Sequence, residues 1–119
     1  MKCLLINDPD SMKSAASLNL QVGTALDPRP MYGTAHFVEH MLFMGNEKYP
    51  GESEFAEFMQ KVGGRKNGYT TLTNTNFHFD CAGPAFSEAL DRFAQFFISP
   101  SFTESGTSRE VMAINSEFK

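Results

Sequence analysis

Two segments of the chain alternate apolar and polar residues with a period of two, and any fold must give each of them one buried and one solvated face. In the first, residues 16–22, Ala16, Leu18, Leu20 and Val22 point one way while Ser17, Asn19 and Gln21 point the other, and Gly23 ends the run. In the second, Thr75 to Ala82, the face carrying Phe77, Phe79 and Cys81 opposes Asn76, His78 and Asp80. Successive strand side chains leave the backbone on opposite faces, so both segments read as half-buried strands. Residues 67–72 read as a third strand, joined to the second by a turn at Thr73-Asn74 to make a hairpin.

An apolar sheet face needs a cover, and the remaining segments supply it as helices. Residues 34–44 have a helical composition, with Phe37, Met41, Phe43 and Met44 as apolar contacts, and the stretch 46–52 with Pro50-Gly51 breaks it. Ser53 is placed to N-cap a second helix whose Phe55, Phe58, Met59 and Val62 fall at i, i+3, i+4 and i+7, ending at Gly63-Gly64. Gly83-Pro84 opens a third helix, with Phe86, Ala89, Leu90, Phe93, Phe96 and Phe97 as its buried face up to Pro100. Thr107 with Glu110 three residues on reads as a capping box starting a last helix through Val111 and Ile114. The order strand, helices, hairpin, helices implies an α+β fold, an antiparallel sheet with helices packed on it, and not a βαβ alternation. With 119 residues and 12 Phe, the chain suffices for one domain with an aromatic core.

Charge and cysteine usage narrow the partners. Ten basic against 14 acidic residues leave a net charge of −4, with no basic stripe for nucleic acid or anionic lipid. No apolar run approaches the roughly 20 residues of a spanning helix. Cys3 and Cys81 are too few for a disulfide framework, and the short apolar run Cys3 to Ile6 is no signal peptide. The expected setting is cytoplasmic and reducing, without membrane or nucleic acid.

Two of the three histidines lie in His36-Phe37-Val38-Glu39-His40. Helix positions i and i+4 stack on one face, so both imidazoles can address one metal ion, with Glu39 beside it. This H-x-x-E-H order is the inverse of the commoner zinc-protease motif. A catalytic zinc takes three protein ligands and keeps one position open. The third ligand must arrive from another element. His78, Asp80, Cys81, Glu110 and Glu117 are all candidates, although Cys81 shares a face with two Phe and suits the core. Glu110 and Glu117 lie seven residues apart on one helix face, and spacing does not choose between them.

The run from Gly33 to Gly45 around the histidines, followed by Lys48-Tyr49-Pro50, closely resembles the pitrilysin/insulinase family of inverted-motif zinc peptidases. So do Asn67-Gly68-Tyr69-Thr70, the stretch from Ala89 to Phe97, Arg109-Glu110-Val111 and Asn115-Ser116-Glu117, and the match is closest to the insulin-degrading enzyme and nardilysin branch. The resemblance implies one zinc per chain, held by His36, His40 and a glutamate 77 positions after the second histidine, which is Glu117. It implies that Glu110 is a second acid of the catalytic set, orienting a ligand or tuning the field of the metal. Asn67, Gly68 and Tyr69 match the edge strand onto which the family adds an extended peptide substrate, with Gly68 standing where relatives usually carry Ala.

The activity implied is a zinc-dependent metalloendopeptidase acting on oligopeptides, with Glu39 taking the proton of the attacking water and passing it to the leaving amine. Family members are much longer and close two halves into a chamber around the peptide. Residues 1–119 are therefore expected to be an incomplete N-terminal portion of a catalytic domain, completed by the remaining family domains or a partner. The alternative expectation is a non-catalytic peptide-binding or assembly fragment of the same family.

Overall fold

A computed structural model describes residues 1–117 of the chain. Its sheet has three antiparallel strands, β1 (Lys13–Leu20), β2 (Arg65–Thr70) and β3 (Thr75–Ala82), in the order β1-β3-β2. Four helices accompany it: α1 (Thr34–Leu42), α2 (Glu54–Lys61), α3 (Phe86–Ile98) and α4 (Glu104–Glu117). The expected α+β architecture, an antiparallel sheet with helices packed on it, is what the chain adopts.

The central strand β3 has the expected bounds, because both of its edges are paired. Phe77 faces Leu18 on β1 and Gly68 on β2, and Phe79 faces Ala16 and Lys66. The outer strands start earlier than their patterns suggest, β1 at Lys13 instead of Ala16 and β2 at Arg65 instead of Asn67. Pairing with β3 sets these limits: Lys13 lies opposite Ala82 and Arg65 opposite Asp80. Leu20 and Val22, expected on the buried face, are 38% and 49% exposed, since they border an open apolar groove with Leu26, Val38 and Leu42 instead of lying under a helix.

Phe77, Phe79 and Cys81 on the inner face of β3 meet Leu42 of α1, Phe55 and Met59 of α2, and Ala89, Phe93 and Phe96 of α3. The rings pack largely edge to face, Phe55 on Phe96 at 4.9 Å and Phe79 on Phe93 at 5.1 Å between centroids. Burying each such side chain contributes about 1.5–3 kcal/mol, with aromatic contacts adding to it. Leu90, expected in this face, is 41% exposed, because the helix turns it away from β3.

Helix ends depart from the expected caps in instructive ways. Ser53 occupies the N-cap of α2, but its side chain makes no capping hydrogen bond; the Gly51 N–H donates to Glu54 Oε2 instead. At the other end Gly63, at φ +63°, closes a Schellman motif in which the Gly64 N–H donates to Met59 O and the Gly63 N–H to Gln60 O. The last helix begins at Glu104, so Thr107 lies inside it and the expected Thr107/Glu110 box does not form. Thr103 caps it, its hydroxyl accepting from the Gly106 N–H at 3.2 Å. Helix α1 stops at Leu42, two residues short of the expected end, where N–H groups of Phe43 and Met44 tighten onto His40 O and Met41 O before Gly45 at φ +105°.

Candidate metal centre

The site is built on α1, and α1 is anchored by a carboxylate from outside it. Asp27 accepts the N–H of Gly33 at 2.6 Å and of Ala35 at 2.8 Å, satisfying two donors that a helix start leaves open. A negative charge there also complements the helix dipole. Asp27 belongs to a segment expected to be a plain loop, and no local spacing signals a cap six and eight residues away from its donors.

With α1 held, His36, Glu39 and His40 share the face that looks toward β2 and α4. Nε2 of His36 and Nε2 of His40 lie 3.1 Å apart, with the rings nearly perpendicular at 83°. Oε2 of Glu117 is 3.5 Å from His36 Nε2, and one ligand atom from each of His36, His40 and Glu117 fits within 4.8 Å of the others. Tetrahedral zinc with Zn–N bonds of about 2.0–2.1 Å separates two nitrogens by about 3.3 Å, so this donor set fits such an ion in both type and spacing. Glu110 Oε2 lies 2.9 Å from Nδ1 of His40. Accepting the Nδ1 proton leaves Nε2 of His40 with a lone pair directed at the shared position.

How α4 reaches α1 follows from the loops. Asn46, 1% exposed, bridges to Pro100; Glu47 N–H donates to Ser99 O, and Ser101 N–H to Gly45 O. This ties the end of α1 to the chain entering α4. Glu52 then holds Arg109 and accepts from the Thr103 hydroxyl, and Ile114 is buried.

The other ligand candidates are elsewhere. Asp80 pairs with Lys13 at 2.9 Å, Nδ1 of His78 bonds Asn76 Oδ1 at 2.9 Å, and Cys81 is buried in the core, where burial raises the pKa of its thiol. Glu39 is 7% exposed, and its Oε2 accepts the Thr70 hydroxyl at 2.8 Å. Gly68 faces inward beneath Glu39: a Cβ there would sit 2.9 Å from Oε1. Asn67 and Tyr69 face outward and are exposed, and β2 is an edge strand, paired to β3 on one side only. Lys66, on the inward side of β2, lies over the Phe43 ring at 4.1 Å, and burial lowers the pKa of its amino group despite the charge of Glu110. Thr70 joins the site through Glu39 although no motif gives it a role; its shared strand parity with Gly68 is the signal that places it inward.

A family model described as "Insulinase (Peptidase family M16)" matches residues 2–119. The chain belongs to the insulinase family. It is 49% identical over 117 residues to the Arabidopsis thaliana protein named Insulin-degrading enzyme-like 1, peroxisomal, covering 98% of this chain and 12% of that relative. It is 43% identical over 117 residues, with the same coverage, to a Schizosaccharomyces pombe protein whose name carries the words zinc protease. Among solved structures, pitrilysin superposes with a TM-score of 0.88 at 35% identity, covering 93% of this chain and 12% of that one. This insulinase-family chain thus spans about an eighth of the length of the relatives it matches. Among the described residues, no helix is long and apolar enough to cross a membrane.

Proposed function

We propose that this chain carries the zinc-binding and base-bearing part of a metalloendopeptidase centre that hydrolyses oligopeptides. The observation that carries the reading is the convergence of His36, His40 and Glu117 within 4.8 Å, beside the buried Glu39. Membership of a peptidase family supports it, as does a relative named as a zinc protease. His36, His40 and Glu117 would hold one zinc ion, and Glu110 would fix the ring of His40. A zinc ion at this position supplies Lewis acidity and makes a water acidic enough to lose its proton near neutral pH. Glu39, not a ligand, accepts that proton and returns it to the leaving amine. The free edge of β2, with Asn67, Gly68 and Tyr69, runs past Glu39 and offers backbone groups to an extended peptide.

In this reading residues 1–119 are the N-terminal portion of a catalytic domain, and the remaining family domains or a partner close the chamber around the substrate. The 12% share of the relatives' length supports that, and it also favours a second reading, a fragment that binds peptide or assembles without turning substrate over. The setting proposed is cytoplasmic, although one relative is named peroxisomal.

The test is zinc per chain after dialysis, on the purified protein and on Glu117→Gln, followed by peptide hydrolysis with a chelator control. Near one zinc per chain, lost in Glu117→Gln, with hydrolysis abolished in a zinc-retaining Glu39→Gln, is the expected result. Zinc without hydrolysis selects the second reading. A folded chain that binds no zinc overturns the ligand assignment.

A further inference from the structure

A carboxylate that takes a proton from water must be held at one place, and Glu39 has few ways to be held. Its side chain is 7% exposed and sits between α1 and β2. A buried carboxyl left without a hydrogen-bond partner loses more than an ordinary hydrogen bond returns. One partner meets it from β2: the Thr70 hydroxyl, donating to Oε2 at 2.8 Å. Two residues earlier on the same face, Gly68 has no Cβ; one built there would lie 2.9 Å from Oε1, so β2 passes close beneath the carboxyl.

We propose that Thr70 is a positioning residue for Glu39: its hydroxyl anchors Oε2 and holds the carboxyl against β2, leaving Oε1 as the oxygen that receives the proton. This rests on the reading of Glu39 as general base. A threonine near a hairpin turn is otherwise accounted for by strand propensity and β-branched packing. A packing role needs the branched shape, and a positioning role needs the hydroxyl. Thr70→Val and Thr70→Ser therefore separate the two.

The experiment measures kcat, KM and bound zinc for the wild-type chain, Thr70→Val and Thr70→Ser. Alongside, it records the 13C signal of the Glu39 carboxyl carbon, identified as the resonance lost in Glu39→Gln. Thr70→Val is expected to lower kcat about 10- to 100-fold, the cost of a misplaced reacting group, with KM and zinc content unchanged. Its Glu39 resonance should move, while Thr70→Ser keeps both kcat and resonance near wild type. Equal losses in Val and Ser, or a Val variant with unmoved kcat and resonance, overturn the proposal. If the wild-type chain hydrolyses nothing, the peptidase reading fails, and the carboxyl resonance alone decides whether Thr70 anchors Glu39.

Discussion

Nδ1 of His40 and Oε2 of Glu110 lie 2.9 Å apart, joining two helices through residues 70 positions apart in the chain. The contact settles which ring nitrogen of His40 carries its proton and which keeps a lone pair. Both partners are largely shielded, with side-chain exposures of 24% and 21%. Removing the acceptor frees the ring to rotate away from the shared position. Glu110→Ala is expected to weaken zinc binding about 10- to 100-fold, measured by competition with a chromogenic chelator. An unchanged affinity would mean that the contact is incidental to the metal position.

The core is expected to fail at Phe96 before most other places. This side chain is 1% exposed and its ring contacts those of Phe43, Phe55, Phe93 and Phe97. Phe96→Ala removes a full ring and leaves a cavity between α2, α3 and the loop after α1, at a cost of about 3–5 kcal/mol. Against the marginal stability of a small domain, that is most of the margin. Urea titration should show a much lower midpoint at an unchanged slope; a shift below about 1 kcal/mol would place the ring outside the cooperative core.

Asp91 supplies a pH signature away from the proposed metal position. Lys48 donates to its Oδ2 at 2.7 Å and Tyr49 also donates to it, and together they hold its carboxyl below the usual carboxylate range. A depressed folded value means that the contribution is fully present above the unfolded value of about 3.9 and is lost as pH falls through the folded one. The pair is solvent-facing, so the effect is small. Asp91→Asn should lower Tm slightly at pH 7, and the gap to wild type should close as calorimetry moves below about pH 4. A gap that stays constant down to that range would assign the loss to something other than the charge.

Much of this arrangement is written in local patterns, and most of the exceptions come from contacts between separate segments. The boundaries of β1 and β2 are moved by long-range pairing, but lengthening a strand does not change which side chains share a face, so Asn67 and Tyr69 stay on one face and Lys66, Gly68 and Thr70 on the other. The His36/Glu39/His40 face follows from helical period alone. What local pattern does not carry is a partner from another segment: Asp27 at the start of α1 and Thr70 against Glu39. The Thr103 cap of α4 is itself local, three residues before Gly106, and the helix simply starts one turn earlier than the Thr107 spacing suggests. Spacing also leaves Glu110 and Glu117 equivalent. The structure separates them, Glu110 reaching Nδ1 of His40 and Glu117 approaching Nε2 of His36.

The two cysteines offer a check on folding that does not depend on metal. Cys3 is exposed, whereas Cys81 is fully buried on the inner face of β3. Burial, followed by the charge of Asp80, raises the pKa of the Cys81 thiol. Alkylation requires a thiolate and access, and Cys81 lacks both until the sheet opens. Native protein should therefore take one equivalent of iodoacetamide, at Cys3 by mass spectrometry, with Cys81 reacting at least about 10³-fold more slowly, as expected if only unfolding worth about 5 kcal/mol exposes it. In denaturant both should react. Comparable rates at the two thiols in native buffer would mean that the 119-residue chain does not keep its central strand covered. The same comparison made with and without zinc tells whether the metal position stabilises the sheet, because anything that binds only the folded form slows Cys81 and leaves Cys3 alone.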